Sequence, residues 1–168
     1  MTFRVLGIDP GLRVTGYGAI ECNDHGIALL EAGVVAPDVH ATLEARLALL
    51  HRGISEALAA TRPQVVVIEE LFSAYRNPLT AVMMGHARGV LCLAAAQQGV
   101  DVHALAHSAV KRALTGSGAA RKEQLRSMVM QLLGLRAVPE PPDVSDALAL
   151  ALAFANRADR SALKGATR

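Results

Sequence analysis

Four carboxylates stand where apolar stretches of this chain begin or end. Asp9 follows the β-prone run Phe3–Ile8, and Glu69, with Glu70 behind it, follows Val65-Val66-Val67-Ile68. Asp143 and Asp146 precede the unbroken apolar run Ala147–Ala155. Each has an ordinary explanation. Asp9 can simply start the Pro10-Gly11 turn, and acids are common in the first turn of a helix, where they face the positive end of its dipole. The pair is harder to dismiss, because Asp143 and Asp146 are i, i+3 neighbours on one helix face and repel each other. Burying an unpartnered carboxylate is costly, so acids at the margins of buried segments call for a cation. Four carboxylates from three elements, with no matching Cys or His set, are the ligand chemistry of Mg²⁺ or Mn²⁺. Two such ions can activate water and steady the leaving oxygen in phosphoryl transfer. Glu69 and Glu70 point to opposite faces of a strand, and the pattern alone does not choose between them.

Cations gather elsewhere. Lys111, Arg112, Arg121, Lys122 and Arg126 are opposed only by Glu123 and straddle Gly116-Ser117-Gly118. Glycines beside a helix start and basic residues make a seat for phosphates; the plainer alternative is a solvated helix face. The stretch is not a Walker A loop, which needs four residues between its glycines and Lys-Ser/Thr directly after. Two of the five aromatics, Phe72 and Tyr75, fall in Leu71–Arg76, next to Glu69. They suit stacking on exposed bases, with Arg76 beside them, or Phe72 plugs the core below its loop. His103 and His107 are four apart, but they straddle a strand end, which argues against zinc.

These groups must be positioned by a fold. Phe3–Ile8, Val14–Ile20 and Ile27–Val35 read as strands joined by Pro10-Gly11 and Asn23–Gly26, hence an antiparallel meander. Thr42–Thr61 is helical by the spacing of Leu43, Leu47, Leu50, Ile54 and Leu58. The Val65–Ile68 run reads as a strand buried on both faces, and Val100–Leu105 as a fifth strand. Asn77-Pro78 caps a helix over Leu79–Gln98. Further helices are expected over His107–Leu114, Ala119–Leu133 and Asp143–Asn156. Three meandering strands followed by α/β alternation make a five-stranded mixed sheet flanked by helices, in one domain over residues 1–156. Residues 157–168 read as a loose, basic tail. The second helix carries a small-residue stripe of Gly85, Gly89, Cys92 and Ala96. Helical glycine costs ~1 kcal/mol relative to alanine, so something packs closely there: the sheet of the same molecule, or the same helix of a second copy.

Composition bounds the class. The 168 residues are 52% hydrophobic and 19% charged, which excludes disorder, and the net charge of +2 confines any basic surface to a local patch. No signal peptide opens the chain. The longest apolar run is shorter than the ~20 residues a bilayer requires. Cys22 and Cys92 form no metal-type pair, so a cytoplasmic chain with reduced thiols and no membrane association is expected.

Taken in order, Gly7-Ile8-Asp9-Pro10-Gly11, Thr15-Gly16-Tyr17-Gly18, Ile68-Glu69-Glu70-Leu71-Phe72, Gly85-His86-Ala87-Arg88-Gly89-Val90, Gly116–Lys122 and Asp143–Ala149 resemble the RuvC Holliday junction resolvases over roughly residues 3 to 156. The resemblance implies an RNase H-like α/β fold and a homodimer. It further implies an endonuclease that makes paired symmetric nicks in like-polarity strands of a four-way DNA junction, leaving 5′-phosphate and 3′-hydroxyl ends. It assigns the catalytic, metal-binding acids to Asp9, Glu69, Asp143 and Asp146, with two Mg²⁺ or Mn²⁺ ions per site. It places Lys111 and Lys122 at DNA phosphates and Phe72 against an unpaired base; Tyr75, Arg76, Arg112, Gly116, Gly118 and Arg121 complete the expected DNA contacts. The RuvA–RuvB branch-migration machine is the implied partner. Two other classes share features. A binding-only junction protein would lack part of the acid set, and an RNase H-like ribonuclease acting on ribosomal RNA precursors would share Asp9 and the fold. An actin-like sugar kinase needs two such domains, and this chain has room for one.

Overall fold

Three antiparallel strands begin the chain: β1 (Phe3–Asp9), β2 (Thr15–Asn23) and β3 (Gly26–Val35). The computed structural model describes residues 2–70 and 77–165, with side chains through Arg157. Buried Thr15 braces the first turn. Its hydroxyl donates to the Gly11 carbonyl at 2.7 Å and accepts from the Gly11 N–H at 3.1 Å. That brace sets the register in which Asp9 lies across from Gly16. In the second turn Asn23 Oδ1 accepts from His25 N–H at 2.9 Å, and Gly26 adopts a φ of 127° that a side chain would resist.

Alternation follows: α1 (Leu43–Thr61), β4 (Val65–Glu69), α2 (Pro78–Gln97), β5 (Asp101–Leu105), α3 (His107–Thr115), α4 (Lys122–Leu132) and α5 (Pro142–Gly165). The sheet order is β3-β2-β1-β4-β5, with β4 and β5 parallel to β1, the expected mixed sheet. Asn77 caps α2 as its sequence position indicates, its Oδ1 accepting from Leu79 N–H at 2.9 Å. Neither cysteine forms a disulfide.

Two helix boundaries differ from expectation by more than one residue. Helix α4 begins at Lys122 rather than Ala119, because Gly116 ends α3 in the left-handed region (φ 80°) and a turn closed by Ala120 N–H on the Ser117 carbonyl precedes the new helix. Helix α5 runs on to Gly165 through the segment expected to be a loose tail. Between Asn156 and Gly165 the chain has neither Pro nor Gly, and its Ala, Arg, Leu and Lys are good helix formers.

Two apolar cores lie on opposite faces of the sheet. Leu50, Ile54 and Leu58 of α1 and Leu91 of α2 pack against Leu6, Ile8, Val66 and Ile68. On the other face α5 lies between the sheet and α3–α4, its residues from Ala147 to Ala153 all buried. An all-apolar helix is stable only when surrounded, and here glycines in the strands let it approach. A Cβ on Gly7 would overlap the Ala147 carbonyl oxygen, and one on Gly16 the Asp143 carbonyl oxygen. The start of α5 is thereby pressed onto β1 and β2 at a fixed place.

Helix α2 is covered on one side only. Ala87, Leu91, Ala94 and Ala95 are buried, while Leu79, Val82 and Leu93 are at least half exposed. A Cβ on Gly85 or Gly89 would meet nothing within 4 Å among the described residues. The sheet of the same chain therefore does not explain this stripe. By length and composition α2 could cross a bilayer, but its buried side is built into the layer beneath the sheet.

Candidate active site

Strands β1 and β4 are parallel neighbours, so the side chains at their ends, Asp9 and Glu69, leave the sheet at the same edge. Asp146 comes to them from the first turns of α5, and the three acids line one cleft with His107. Val110, Leu125 and Leu150 form its apolar floor. Asp143 lies one turn before Asp146, its backbone seated on Gly16, the residue paired with Asp9. Ser145 Oγ donates to the Pro139 carbonyl at 2.8 Å and ties this helix start to the preceding loop. The four acids thus come from the first strand, a middle strand and the last helix. Glu70 is exposed and turned from the cleft, its N–H donating to the Leu105 carbonyl at 3.0 Å.

The acids oppose one another electrostatically. Burial, then the charges of Glu69, Asp146 and Asp143, push the Asp9 carboxyl up from 3.8 to about 8, while Lys122 pulls the other way. Glu69 is also raised, chiefly by burial; His107 opposes the rise and Asp146 adds to it. An ammonium and an imidazole nitrogen each lie against an oxygen of the cluster. Lys122 Nζ lies 2.9 Å from Asp146 Oδ2, and His107 Nδ1 lies 3.1 Å from Glu69 Oε1. Among the described residues nothing donates to the other Asp146 oxygen, the buried Oδ1.

An all-carboxylate donor set, mutual repulsion and an orphaned buried oxygen fit a hard divalent cation. As the side chains stand, no three of the described His, Cys, Asp and Glu residues converge tightly enough to close on one ion. The donors available to a cation are Asp9, Glu69, Asp143 and Asp146.

Comparisons with known proteins give the family of the chain. The profile described as "Crossover junction endodeoxyribonuclease RuvC" matches residues 5–154. Curated relatives of that name include one from Rhodopirellula baltica, 47% identical over 88% of this chain and 83% of its own, and one from Heliobacterium modesticaldum, 43% identical over 90% and 93%. The chain belongs to the RuvC family of crossover junction endodeoxyribonucleases. A Thermus thermophilus RuvC structure superimposes with a TM-score of 0.88 at 36% identity, covering 95% of this chain and 97% of that one. The same protein solved "in complex with Holliday junction substrate" gives 0.85 at 35% identity, covering 94% and 96%. The fold is accordingly RNase H-like, as the sequence resemblance implies.

The other residues singled out from the sequence divide into three groups. Lys122 reaches the acid cleft. Lys111 and Arg112 lie on α3, Gly116 and Gly118 on the loop after it, and exposed Arg121 just before α4, and none of them lines the cleft. Gly118 is closely flanked, with the Ser108 carbonyl and the Arg112 guanidinium near its Cα. Phe72, Tyr75 and Arg76 lie outside the described residues. His103 packs on Phe154, ring centroids 5.0 Å apart, and shares no site with His107. The histidine at the cleft was visible in the sequence only as half of an unconvincing zinc pair. Its better signal is position: it follows the end of β5, beside the strand that ends in Glu69.

Proposed function

We propose that this RuvC-family chain resolves four-way DNA junctions as a homodimer, by metal-dependent hydrolysis at a site made of Asp9, Glu69, Asp143 and Asp146. The observation that carries the reading is the delivery of Asp146, by the last helix, into the cleft where Asp9 and Glu69 end adjacent strands. The four carboxylates hold Mg²⁺ or Mn²⁺, two ions in a full site. When bound, the cations supply charge for activating water and for stabilising the leaving oxygen. The residues supply the rest. Burial, and then the neighbouring carboxylates, raise Asp9 to about 8, so a cation held there would displace its proton to water. Lys122 is placed to exchange Asp146 for a phosphate oxygen. Lys111, Arg112 and Arg121, with Gly116 and Gly118 between them, carry the backbone phosphates around the cleft. Phe72, Tyr75 and Arg76 engage bases opened at the crossover. Water adds to phosphorus, the P–O3′ bond breaks, and the products are 5′-phosphate and 3′-hydroxyl ends that a ligase can join.

The exposed stripe on α2 supports the dimer. Gly85 and Gly89 leave room for a second backbone, and Val82 and Leu93 flank them. Two copies about a two-fold axis present two sites to a junction of nearly the same symmetry, which makes paired nicks in like-polarity strands the expected outcome. RuvA–RuvB is the proposed partner, and the cytoplasm, where the chromosome lies, the place of action.

The test is a synthetic four-way junction incubated with Mg²⁺, Mn²⁺ or EDTA. Paired nicks with either cation and none in EDTA are expected. Asp9→Asn should lose cleavage while still shifting the junction in a gel. Retained cleavage by that variant would refute the metal assignment.

A further inference from the structure

Among the described residues that line the cleft, His107 is the one titratable side chain besides Asp9, Glu69 and Asp146. His107 opens α3, directly after β5, and its ring is about two-fifths exposed. Its Nδ1 sits 3.1 Å from Glu69 Oε1. The backbone on either side of this contact is fixed. Glu70 N–H donates to the Leu105 carbonyl at 3.0 Å, locking the end of β4 to the end of β5. Arg88 Nε of α2 donates to the Glu69 carbonyl at 3.3 Å. With both main chains tied, the freedom left to Glu69 is in its side-chain torsions, and the imidazole closes that freedom by engaging one of the two carboxylate oxygens. Lys122 does the same for Asp146 at 2.9 Å. Glu69 thus has Oε1 against an imidazole nitrogen and Asp146 has Oδ2 against an ammonium, while Glu69 also shares a side-chain hydrogen bond with Asp9 inside the cleft.

We propose that His107 is a positioning residue, which donates from Nδ1 to Glu69 Oε1 and so presents Oε2 to the cation. The inference rests on the metal reading above. A donor behind a ligating carboxylate orients the ligand and lowers the entropy lost when the ion binds; removing such a donor typically weakens metal binding 10–100-fold. The ring acts through Glu69 and does not ligate. An alanine here leaves Glu69 free to rotate. An asparagine places its amide nitrogen close to where Nδ1 lies and can donate in the same way.

The experiment is Mn²⁺ binding to the full chain, by calorimetry and by the electron spin resonance of the bound ion, for the parent, His107→Ala and His107→Asn. Cleavage of a four-way junction across a range of Mn²⁺ concentrations runs in parallel. His107→Ala should bind Mn²⁺ about 10-fold more weakly or worse, with unchanged circular dichroism and with cleavage that needs a correspondingly higher Mn²⁺ concentration. His107→Asn should recover most of the affinity. Spin-echo spectra of the parent should show no directly bound ¹⁴N. Equal affinity in His107→Ala overturns the positioning role while leaving the four-acid site standing, and a coordinated nitrogen overturns it in favour of direct ligation. A parent that binds no Mn²⁺ overturns both readings together.

Discussion

Helices α2 and α5 are built from similar residues, long apolar stretches rich in Ala, Leu and Val, and the fold uses them in opposite ways. Helix α5 is surrounded by its own chain, with Gly7 and Gly16 supplying the depth it needs. Helix α2 carries its glycines itself, and among the described residues nothing packs on them. Composition does not distinguish the two helices. What does is which partner in a contact has given up its side chains: the strands under α5, the helix itself in α2. In α5 the close approach is completed within one molecule, and it delivers two acids to the cleft. In α2 no described residue of the same chain makes the close approach that Gly85 and Gly89 would allow, which is the basis of the proposed dimer.

The comparison can be broken at three points, in decreasing order of effect. Gly7→Val should be the most damaging, because the added atoms meet the Ala147 backbone with no flexible side chain to move. Overpacking of this sort costs about 3 kcal/mol, and at ~2–4 °C per kcal/mol in a domain of this size the melting temperature should fall by roughly 6–12 °C. An unchanged melting curve would show that α5 does not depend on strand glycines. Leu93→Glu, on the exposed side of α2, should leave the circular dichroism unaltered and halve the mass seen by sedimentation. A parent that is already monomeric at high concentration would remove α2 from the comparison. The smallest effect concerns the acids α5 brings in. Asp9 holds its proton in the folded state up to about 8, against 3.8 for an ordinary aspartate. Between those values the folded chain keeps a proton that the unfolded chain releases. The contribution is therefore fully present below the lower value and is lost as pH rises through the upper one. Without divalent metal, thermal stability should decline from pH 4 to pH 8, and Asp9→Asn should flatten that decline and melt several degrees higher at pH 8. A slope that survives in the variant assigns the effect to other groups.

Much of this was legible before any coordinates. The meander follows from Pro10-Gly11 and Asn23–Gly26, the buried parallel strand from Val65–Ile68, and the start of α2 from Asn77-Pro78, because turn and cap chemistry is local. The gathering of acids was legible because a carboxylate at the end of a buried run is physically conspicuous. The length of α5 was not, since a polar composition past Asn156 was read as looseness although nothing in it breaks a helix. His107 was missed for a different reason. Its role arises from β4 and β5 ending side by side, a relation between segments far apart in sequence. Nor could sequence say which side of Gly85 and Gly89 is empty.

The placement of Asp143 and Asp146 on the final helix has a consequence for the cell that makes the protein. A nuclease that forms while still tethered to a ribosome would be a hazard to the chromosome nearby. Here the blade is fitted last. A nascent or prematurely terminated chain that stops before Pro142 has Asp9 and Glu69 but lacks both remaining acids and the helix that fills the sheet's second face. On the proposed site, such a chain would lack half of its acids together with part of its core.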